Sequence, residues 1–428
     1  MKLYNLKDQT QVVDFETAVR TGLGRNQGLF FPKKLTPLRD IDTLLKLDTN
    51  ERNKQILGSL IEEDIDSTTL DQIIESTFRF PAKLAAVSTS EFCLELFHGP
   101  TLAFKDFGAN FMANCLQSFS NDKAITILTA TSGDTGAAVA HAFHNLDNIQ
   151  VIILFPKGRI SELQQKMFTT LGDNIHTIAI EGDFDDCQAL VKQSFDDRNF
   201  VQAVGLNSAN SINISRLLAQ VCYYFDAFAQ LPDEQKQQVV FSVPSGNFGN
   251  LCAGIIAKTL GLPIKRFIAA TNLNDTVPRY LSSGEWSPND TVATISNAMD
   301  VSNPNNWPRI QYLIDSGQFD GNNLTGCAVD ETQTQSTLKT LQEIGYISEP
   351  HAAVAYHGLH QSLQPGETGI FLGTAHPAKF KSTVDEVLQI NLSLPEALAE
   401  CSQKADLAES LPADFAQLRT FALTKSAG

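Results

Sequence analysis

The chain has 428 residues, a length typical of about three folding units, or of two domains with an added segment. Lys and Arg total 32 against 48 Asp and Glu, and the resulting net charge of -16 argues against nucleic acid or an anionic membrane as the main partner. Hydrophobic residues make up 43% and charged residues 19%, a balance that excludes a disordered chain.

Several simple patterns narrow the class of protein. The start of the chain has no apolar signal core, and no stretch of ~18 apolar residues could span a bilayer. The seven cysteines show no C-x-x-C spacing, which favours free buried thiols in a reducing compartment. The pairs His141/His144 and His357/His360 lack a carboxylate or thiolate partner at metal-site spacing and are typical of helix surfaces. We expect a cytoplasmic protein without a membrane span or metal site.

The first 85 residues are predicted to form a largely helical N-terminal elaboration. The helical patterns are LLKLDTNERNKQILGSLIEE and STTLDQIIESTF, and the only short strand signal is GLFFP. The last forty residues contain two Leu-Pro pairs, and proline suits the first turn of a helix. We therefore expect a helical closing segment at that end.

From about Glu91 onward, short apolar runs alternate with helical patterns. The predicted strands are residues 125–130, 151–155, 176–180, 239–243, 267–271 and 369–373. The predicted helices are residues 136–145, 161–171, 185–195, 212–228, 249–260, 332–344 and 352–363. Continuous apolar strands have both faces covered, so the alternation predicts an α/β fold with parallel, doubly wound sheets.

A lysine marks the first candidate site, in the segment HGPTLAFKDFGANFMANCLQSF. Helical spacing places Lys105 beside Ala109 and Met112, at the edge of the apolar stripe rather than on the polar face. Desolvation and the positive end of the helix dipole would both lower the pKa of its amine, as Schiff-base chemistry requires. The alternative is a packed stem with the ammonium in water, which is commoner for an arbitrary lysine.

Two strand-to-helix turns are rich in glycine and in hydroxyl or amide groups. Residues 131–136 (TSGDTG) follow the first predicted strand, and residues 245–250 (SGNFGN) follow the fourth. Free backbone N–H groups at a helix start suit a carboxylate or a phosphate. Ordinary N-capping explains the first turn equally well, and a tight turn explains the second.

Polar groups at two further points suggest ligand contacts. The segment NSANSINISR places Asn210, Ser211 and Arg216 at the start of an apolar helix, where the guanidinium could grip a phosphate or pair with a carboxylate. Thr374 lies at the carboxyl end of the last predicted strand, which is the ligand edge of open α/β sheets.

Two anion turns and a Schiff-base lysine describe pyridoxal 5'-phosphate with an anionic amino-acid substrate. HGPTLAFKDFG, ATSGDTGAA, SGNFGN, NSANSINISR, SEPHAAVA and GTAHPAKF together resemble the threonine synthase family, from LYNLKD near the start to about Lys379. The last forty residues carry none of these motifs. The resemblance implies two doubly wound parallel-sheet domains of the tryptophan-synthase-β-like kind (fold type II), over residues 86–210 and 211–428. It also implies a monomer, since the chain is similar to the long-chain subgroup.

The resemblance also implies roles for single residues. Lys105 would be the Schiff-base lysine. The loop around the cofactor phosphate would be Gly246, Asn247, Phe248, Gly249 and Asn250. Thr374 would bond the pyridine nitrogen, and Asp134 would lie near the ring oxygen.

The implied substrate is O-phospho-L-homoserine, which would be converted with water to L-threonine and phosphate. Its carboxylate would be held by Thr131, Ser132, Gly133 and Thr135. Its phosphate would be held by Asn210, Ser211 and Arg216.

Two other functions stay open at this point. A serine/threonine dehydratase or a phosphate-eliminating phospholyase would share Lys105 and the glycine turn but not the cluster around Arg216. A binding protein that holds a small anion without chemistry would take up no pyridoxal phosphate and stay colourless.

Overall fold

The computed structural model describes residues 1–119 and 124–426, which form two large sheets, one parallel and one mainly parallel, and a small N-terminal sheet, all flanked by helices. The strands are β1 (Leu3–Asn5), β2 (Asp8–Val13), β3 (Phe30–Pro32), β4 (Lys83–Ala86), β5 (Glu91–Glu95), β6 (Ile125–Ala130), β7 (Ile149–Pro156), β8 (Ile175–Glu181), β9 (Leu206–Asn207), β10 (Val239–Pro244), β11 (Ile264–Thr271), β12 (Leu324–Ala328), β13 (Thr368–Gly373) and β14 (Glu409–Pro412).

The helices alternate with these strands along the chain. They are α1 (Phe15–Thr21), α2 (Ile41–Leu44), α3 (Thr49–Ile61), α4 (Ser67–Thr77), α5 (Lys105–Ser118), α6 (Asp134–Phe143), α7 (Glu162–Thr169), α8 (Phe184–Asp196), α9 (Arg198–Val204), α10 (Ile214–Gln230), α11 (Gly249–Thr259), α12 (Thr276–Ser283), α13 (Trp307–Asp315), α14 (Glu331–Glu343), α15 (Pro350–Ser362), α16 (Lys381–Leu388), α17 (Glu396–Gln403) and α18 (Phe415–Ser426). None of these described helices is long and apolar enough to cross a membrane.

The N-terminal segment contains the predicted helices, but it also contains a sheet that the sequence analysis missed. Strands β2, β1 and β3 pair antiparallel in that order. The hairpin partner β2 has the polar sequence DQTQVV, and its residues are half-buried or exposed, so it gave no apolar strand signal. Helices α3 and α4 begin where Asp48 and Asp66 accept a backbone N–H three residues later, as N-cap residues do.

The larger sheet has the strand order β12-β11-β10-β13-β5-β4. Its strands are parallel except for β4, which runs antiparallel to β5. The strand order changes direction between β10 and β13, so the turns after these two strands flank a crevice at the carboxyl edge of the sheet. The glycine turn 245–250 follows β10 and Thr374 follows β13, which brings both to this crevice.

The second sheet has the order β14-β8-β7-β6-β9 and is parallel throughout. Its order changes direction between β6 and β9. The turn 131–136 follows β6 and the segment 208–213 follows β9, and the Thr129 hydroxyl donates to Asn210 Oδ1 at 2.8 Å across this switch point. Each sheet thus places two of the predicted polar segments at its own ligand edge.

The two sheets do not follow the contiguous segments 86–210 and 211–428 that were predicted as domains. Strands β4 and β5 precede the smaller sheet in sequence but belong to the larger one, and β14 near the end of the chain pairs with β8 of the smaller one. The closing segment is therefore not purely helical: Pro412 ends a strand, and α18 begins only at Phe415. Short strands such as ESLP carry too few apolar residues to be recognised alone.

Helix α10 lies between the two sheets and packs against both α5 and α11. All of its residues from Ile214 to Phe228 are buried. The fit against α5 is close, because a Cβ at Gly108 would lie 2.8 Å from the carbonyl oxygen of Arg216. This packing fixes the first turn of α10 against the start of α5.

Candidate active site

Lys105 is the first residue of α5, and its side chain lines a pocket formed by elements of both large sheets. Burial lowers the pKa of the amine to about 8; Asp134 opposes the shift, while Arg216 and Lys379 add to it. Among the described residues the amine has no hydrogen bond or ion pair. Lys105 lies at the start of a helix, as predicted, and burial lowers the pKa of its amine in the predicted direction.

The turn after β10 presents unpaired backbone N–H groups to this pocket. The N–H groups of residues 246–250 have no acceptor within the part of the chain that the structure describes. Helix α11 begins at Gly249, and its dipole adds positive potential at the same place. Phe248 adopts the left-handed conformation, with φ of 61°. Its ring packs edge-on against that of Trp307, with 5.7 Å between the ring centroids. The turn has the features of an anion site.

The same turn is fixed from the opposite side by the segment 298–306. The backbone N–H of Asn306 donates to the Asn247 carbonyl at 3.1 Å, and that of Asn305 donates to Asn247 Oδ1 at 3.3 Å. A Cβ at Gly246 would lie 2.8 Å from Met299 Cα, so this position requires glycine for close packing. Gly246 therefore allows the close approach of the Met299 backbone, whether or not a ligand is bound.

Asn250 directs an unpaired donor into the pocket. Its Oδ1 accepts the hydroxyl groups of Tyr223 at 2.6 Å and Tyr224 at 2.8 Å. Its Nδ2 is buried and has no partner within residues 1–119 and 124–426. An unpaired buried amide is costly, so a ligand acceptor at this position would gain from it.

Arg216 places a buried guanidinium in the pocket without a carboxylate partner. Its side chain donates to the carbonyl of Ala209, and its Nε has no partner in the described chain. Burial lowers the pKa of the guanidinium to about 10, and Asp106 opposes the shift. The alternative of an arginine bound to a neighbouring carboxylate is therefore wrong, since Arg216 makes no ion pair with any residue that the structure describes.

The turn after β6 uses its first hydroxyl to build the helix start. Thr131 Oγ1 accepts the N–H groups of Gly133 at 3.0 Å and Gly136 at 2.8 Å. Asp134, the first residue of α6, lines the pocket and forms an ion pair of 2.7 Å with Lys379. Burial raises the pKa of this carboxyl, but Lys379 and Lys105 outweigh it, so the net shift is downward.

Most of the predicted site residues meet in this one pocket. Those that line it are Lys105, Asp134, Thr135, Ser211, Arg216, Gly246, Asn247, Phe248, Gly249, Asn250 and Thr374. Thr131, Ser132, Gly133 and Asn210 lie in the flanking turns but outside its lining. Their predicted substrate contacts stay predictions.

Several residues that shape the pocket were not predicted from the sequence. His351 lines it, donates from Nδ1 to Glu349 at 2.5 Å, and accepts the Ala298 N–H on Nε2 at 3.1 Å. Accepting that N–H requires an unprotonated Nε2, so His351 is the Nδ1–H tautomer and fixes residues 298–299. Gln220 also lines the pocket and donates to the Arg216 carbonyl at 2.9 Å. The motif SEPHAAVA contained His351, but nothing in its pattern indicated that contact.

The H-x-x-H pairs have ordinary partners. Among the described residues there is no group of three or more potential metal ligands. His141 contacts the Met167 carbonyl, and His360 pairs with Glu91. All seven cysteines are free, as predicted.

This fold and pocket define a pyridoxal-phosphate-dependent enzyme of fold type II. The family described as "Pyridoxal-phosphate dependent enzyme" matches residues 82–372, "Threonine synthase N terminus" matches residues 4–78, and "Threonine synthase, C-terminal" matches residues 352–422. The chain belongs to the threonine synthase family and acts as a pyridoxal-phosphate-dependent lyase of threonine biosynthesis.

Individual threonine synthases are similar to this chain over nearly its whole length. Threonine synthase of Haemophilus influenzae is 60% identical over 423 residues, which cover 99% of this chain and 100% of the relative. The crystal structure of threonine synthase from Escherichia coli matches this chain with a TM-score of 0.95 and 59% sequence identity. The match covers 99% of this chain and 100% of the Escherichia coli chain. A pyridoxal-phosphate-bound threonine synthase from Brucella melitensis has a TM-score of 0.92 at 31% identity, with complete coverage of both chains.

The family region extends further than the motifs do. The resemblance reaches only about Lys379, because the motifs that carry it are ligand-binding turns, but the C-terminal family region extends to residue 422. The last forty residues form a strand and helices and therefore carry no such turn.

The residues of the pocket fit pyridoxal phosphate. The unpaired Asn250 Nδ2 and the free N–H groups of residues 246–250 supply donors for a phosphate. The free amine of Lys105 suits an aldehyde. Thr374 offers a hydroxyl at the end of β13, 7% exposed, and its carbonyl accepts the N–H of Phe104 at 2.9 Å.

Proposed function

We propose that this chain converts O-phospho-L-homoserine and water to L-threonine and phosphate in the pocket around Lys105. The observation that carries the proposal is Arg216, a buried guanidinium that lines the pocket and has no carboxylate partner. The glycine turn already provides donors for one phosphate. Arg216 is a separate, cationic group, which supports a substrate that carries a phosphate of its own in addition to the cofactor phosphate.

The proposed cofactor contacts use the donors described above. Residues 246–250 would hold the cofactor phosphate, with Asn250 Nδ2 as a side-chain donor. Thr374 would bond the ring nitrogen with its hydroxyl, which does not keep the ring protonated as a carboxylate would. Asp134 would lie near the ring oxygen.

The proposed substrate contacts divide between the two turns of the smaller sheet. Thr135, with Thr131, Ser132 and Gly133, would hold the substrate carboxylate at the start of α6, where the helix dipole favours an anion. Arg216, Ser211 and Asn210 would hold the γ-phosphate at the start of α10.

Lys105 has the central role in the chemistry. Bound pyridoxal phosphate supplies an electron sink for the substrate carbanion. The Lys105 amine would accept the proton from Cα and move protons along the Cβ and Cγ positions, so that the γ-phosphate leaves and water adds at Cβ. A pKa of about 8 places the amine near the working pH, which suits a group that both accepts and donates protons.

The test is turnover of O-phospho-L-homoserine with product analysis. We expect L-threonine and phosphate in equal amounts, and no turnover by Lys105→Ala. Release of a 2-oxoacid instead would support a phospholyase, and activity on serine alone would support a dehydratase. Borohydride reduction followed by peptide mapping should place the trapped cofactor on Lys105.

The assembly and location of the protein complete the proposal. We propose a monomer that acts on this small molecule without nucleic acid, and light scattering on the purified enzyme measures its mass. The free cysteines support a reducing, cytoplasmic compartment.

A further inference from the structure

Lys379 forms a buried ion pair with Asp134 next to the proposed active lysine, and no role has been assigned to Lys379 so far. Lys379 lies on the short 3-10 turn Pro377–Phe380 after β13, and its side chain is 0% exposed. Its Nζ lies 2.7 Å from Asp134 Oδ1 and donates to the Thr101 carbonyl at 2.7 Å. The pair joins the turn after the larger sheet to the first helix of the smaller one.

Lys105 contrasts with this second lysine. Both lysines are close enough to Asp134 to affect its pKa, and Asp134 and Lys105 line the same pocket. Only Lys379 forms the ion pair, and the Lys105 amine has no polar partner among the described residues. A buried carboxylate needs a cationic partner, and Lys105 is the other lysine whose charge lowers the pKa of Asp134, so removing Lys379 would leave the Lys105 ammonium to take its place.

We propose that Lys379 is a positioning residue that holds the Asp134 carboxylate in an ion pair and so keeps the Lys105 amine unpaired for reaction with the cofactor aldehyde. The inference rests on the proposed role of Lys105. With pyridoxal phosphate bound, the neutral Lys105 amine would attack the aldehyde carbon, a C=N bond would replace the C=O bond, and the aldehyde oxygen would leave as water. An ammonium paired with Asp134 would first have to lose its proton, because only the neutral amine has a lone pair to attack with.

The charges around Lys105 support this division of roles. Arg216 on α10 and Lys379 disfavour its ammonium form, and Asp134 on α6 favours it. Asp106, on the same helix as Lys105, is held by the Thr101 N–H and hydroxyl. His351 on α15 has both ring nitrogens engaged. Among the described residues, Asp134 is the one carboxylate that lines the pocket. Whether Asp134 pairs with Lys379 or with Lys105 therefore determines whether the Lys105 amine is unpaired.

The test measures the pH dependence of Lys105 reactivity in the enzyme stripped of cofactor. Reductive methylation with labelled formaldehyde, followed by peptide mapping, gives the titration midpoint of Lys105 without any loaded enzyme. Lys379→Met should raise this midpoint by about one pH unit, equivalent to roughly tenfold slower labelling below it. Lys379→Arg, which keeps the charge, should restore the wild-type midpoint.

A second variant keeps the proposal testable if Lys379→Met does not fold. Asp134→Asn leaves Lys379 unopposed and should lower the Lys105 midpoint. The double variant Lys379→Met/Asp134→Asn carries neither buried charge, so its Lys105 midpoint should be close to that of the wild type. A wild-type midpoint in either single variant, or a double variant that keeps the shift of Lys379→Met, overturns the proposal. Borohydride-trapped cofactor on a lysine other than Lys105 would instead contradict the proposed function.

Discussion

At the residue scale, two buried arginines show how the same side chain can serve a ligand or the fold. Arg309 is 0% exposed, and its guanidinium donates to the carbonyls of Phe30 and Ile212 and to Asn306 Oδ1. It therefore ties the N-terminal sheet to the segments around the pocket. Arg216 is almost equally buried, but among the described residues its guanidinium donates to one carbonyl only. This difference in satisfied donors is why we propose Arg216, and not Arg309, as a ligand contact.

Arg216→Lys should mainly affect substrate use. Lysine keeps the charge but loses the planar fork, which puts charge-assisted hydrogen bonds of about 1.5–3 kcal/mol at risk. We expect kcat/KM for phosphohomoserine to fall by roughly one to two decades, with cofactor affinity and Tm nearly unchanged. Arg309→Lys is the matched control and should show the opposite pattern: a lower Tm with near-normal kinetics. A fall in Tm for Arg216→Lys without a kinetic loss would show that it is structural.

Asn250→Asp isolates one proposed cofactor contact. The carboxylate can still accept the hydroxyls of Tyr223 and Tyr224, but the unpaired Nδ2 donor becomes an anionic oxygen. Loss of a hydrogen bond to a charged group costs about 1.5–3 kcal/mol, and repulsion between two anions adds to it. We expect affinity for pyridoxal phosphate to fall by at least roughly tenfold in equilibrium dialysis. Unchanged affinity would remove Asn250 from the phosphate site.

At the element scale, the strand-to-helix turns show what a sequence can and cannot predict. Continuous apolar runs made the central strands recognisable, and β6 has the predicted bounds 125–130. Strand β12 (LTGCA) has one buried residue, and β5 (EFCLE) is fully buried yet begins and ends with glutamate, so neither has a recognisable pattern. The pocket turns were found because glycines and amides cluster locally. The Lys379–Asp134 pair spans 245 positions and has no local signal.

Two glycines in the turn after β10 should respond differently to alanine. A Cβ at Gly246 would lie 2.8 Å from Met299 Cα, whereas at Gly249 the nearest atom is Asn306 Nδ2 at 3.3 Å. Gly246→Ala should therefore displace two backbone segments and destabilise the protein by about 1–3 kcal/mol, with weaker cofactor binding as a consequence. Gly249→Ala should change Tm little, because alanine is a good helix former. Equal Tm values for both variants would contradict the close packing.

At the scale of the whole molecule, the chain returns at its end to a sheet that it built much earlier. Strand β14 extends the smaller sheet beyond β8, and α18 packs against α8 and α9. Leu418 on α18 is 1% exposed, in a cluster that includes Leu190 and Phe200. This segment closes one face of the smaller sheet, while the pocket lies at its carboxyl edge and includes no residue of α18.

Leu418→Ala should therefore separate stability from catalysis. Truncating a buried leucine removes its transfer free energy and leaves a cavity, which costs about 2–5 kcal/mol. We expect a lower Tm and an earlier urea midpoint, while cofactor affinity and kcat/KM at 25 °C stay within about twofold of wild type because the site is distant. Leu407→Ala, at a position that is 52% exposed in the same segment, is the control and should change Tm little. If Leu418→Ala instead lost cofactor affinity with unchanged Tm, the closing segment would act on the pocket rather than on the stability of the smaller sheet.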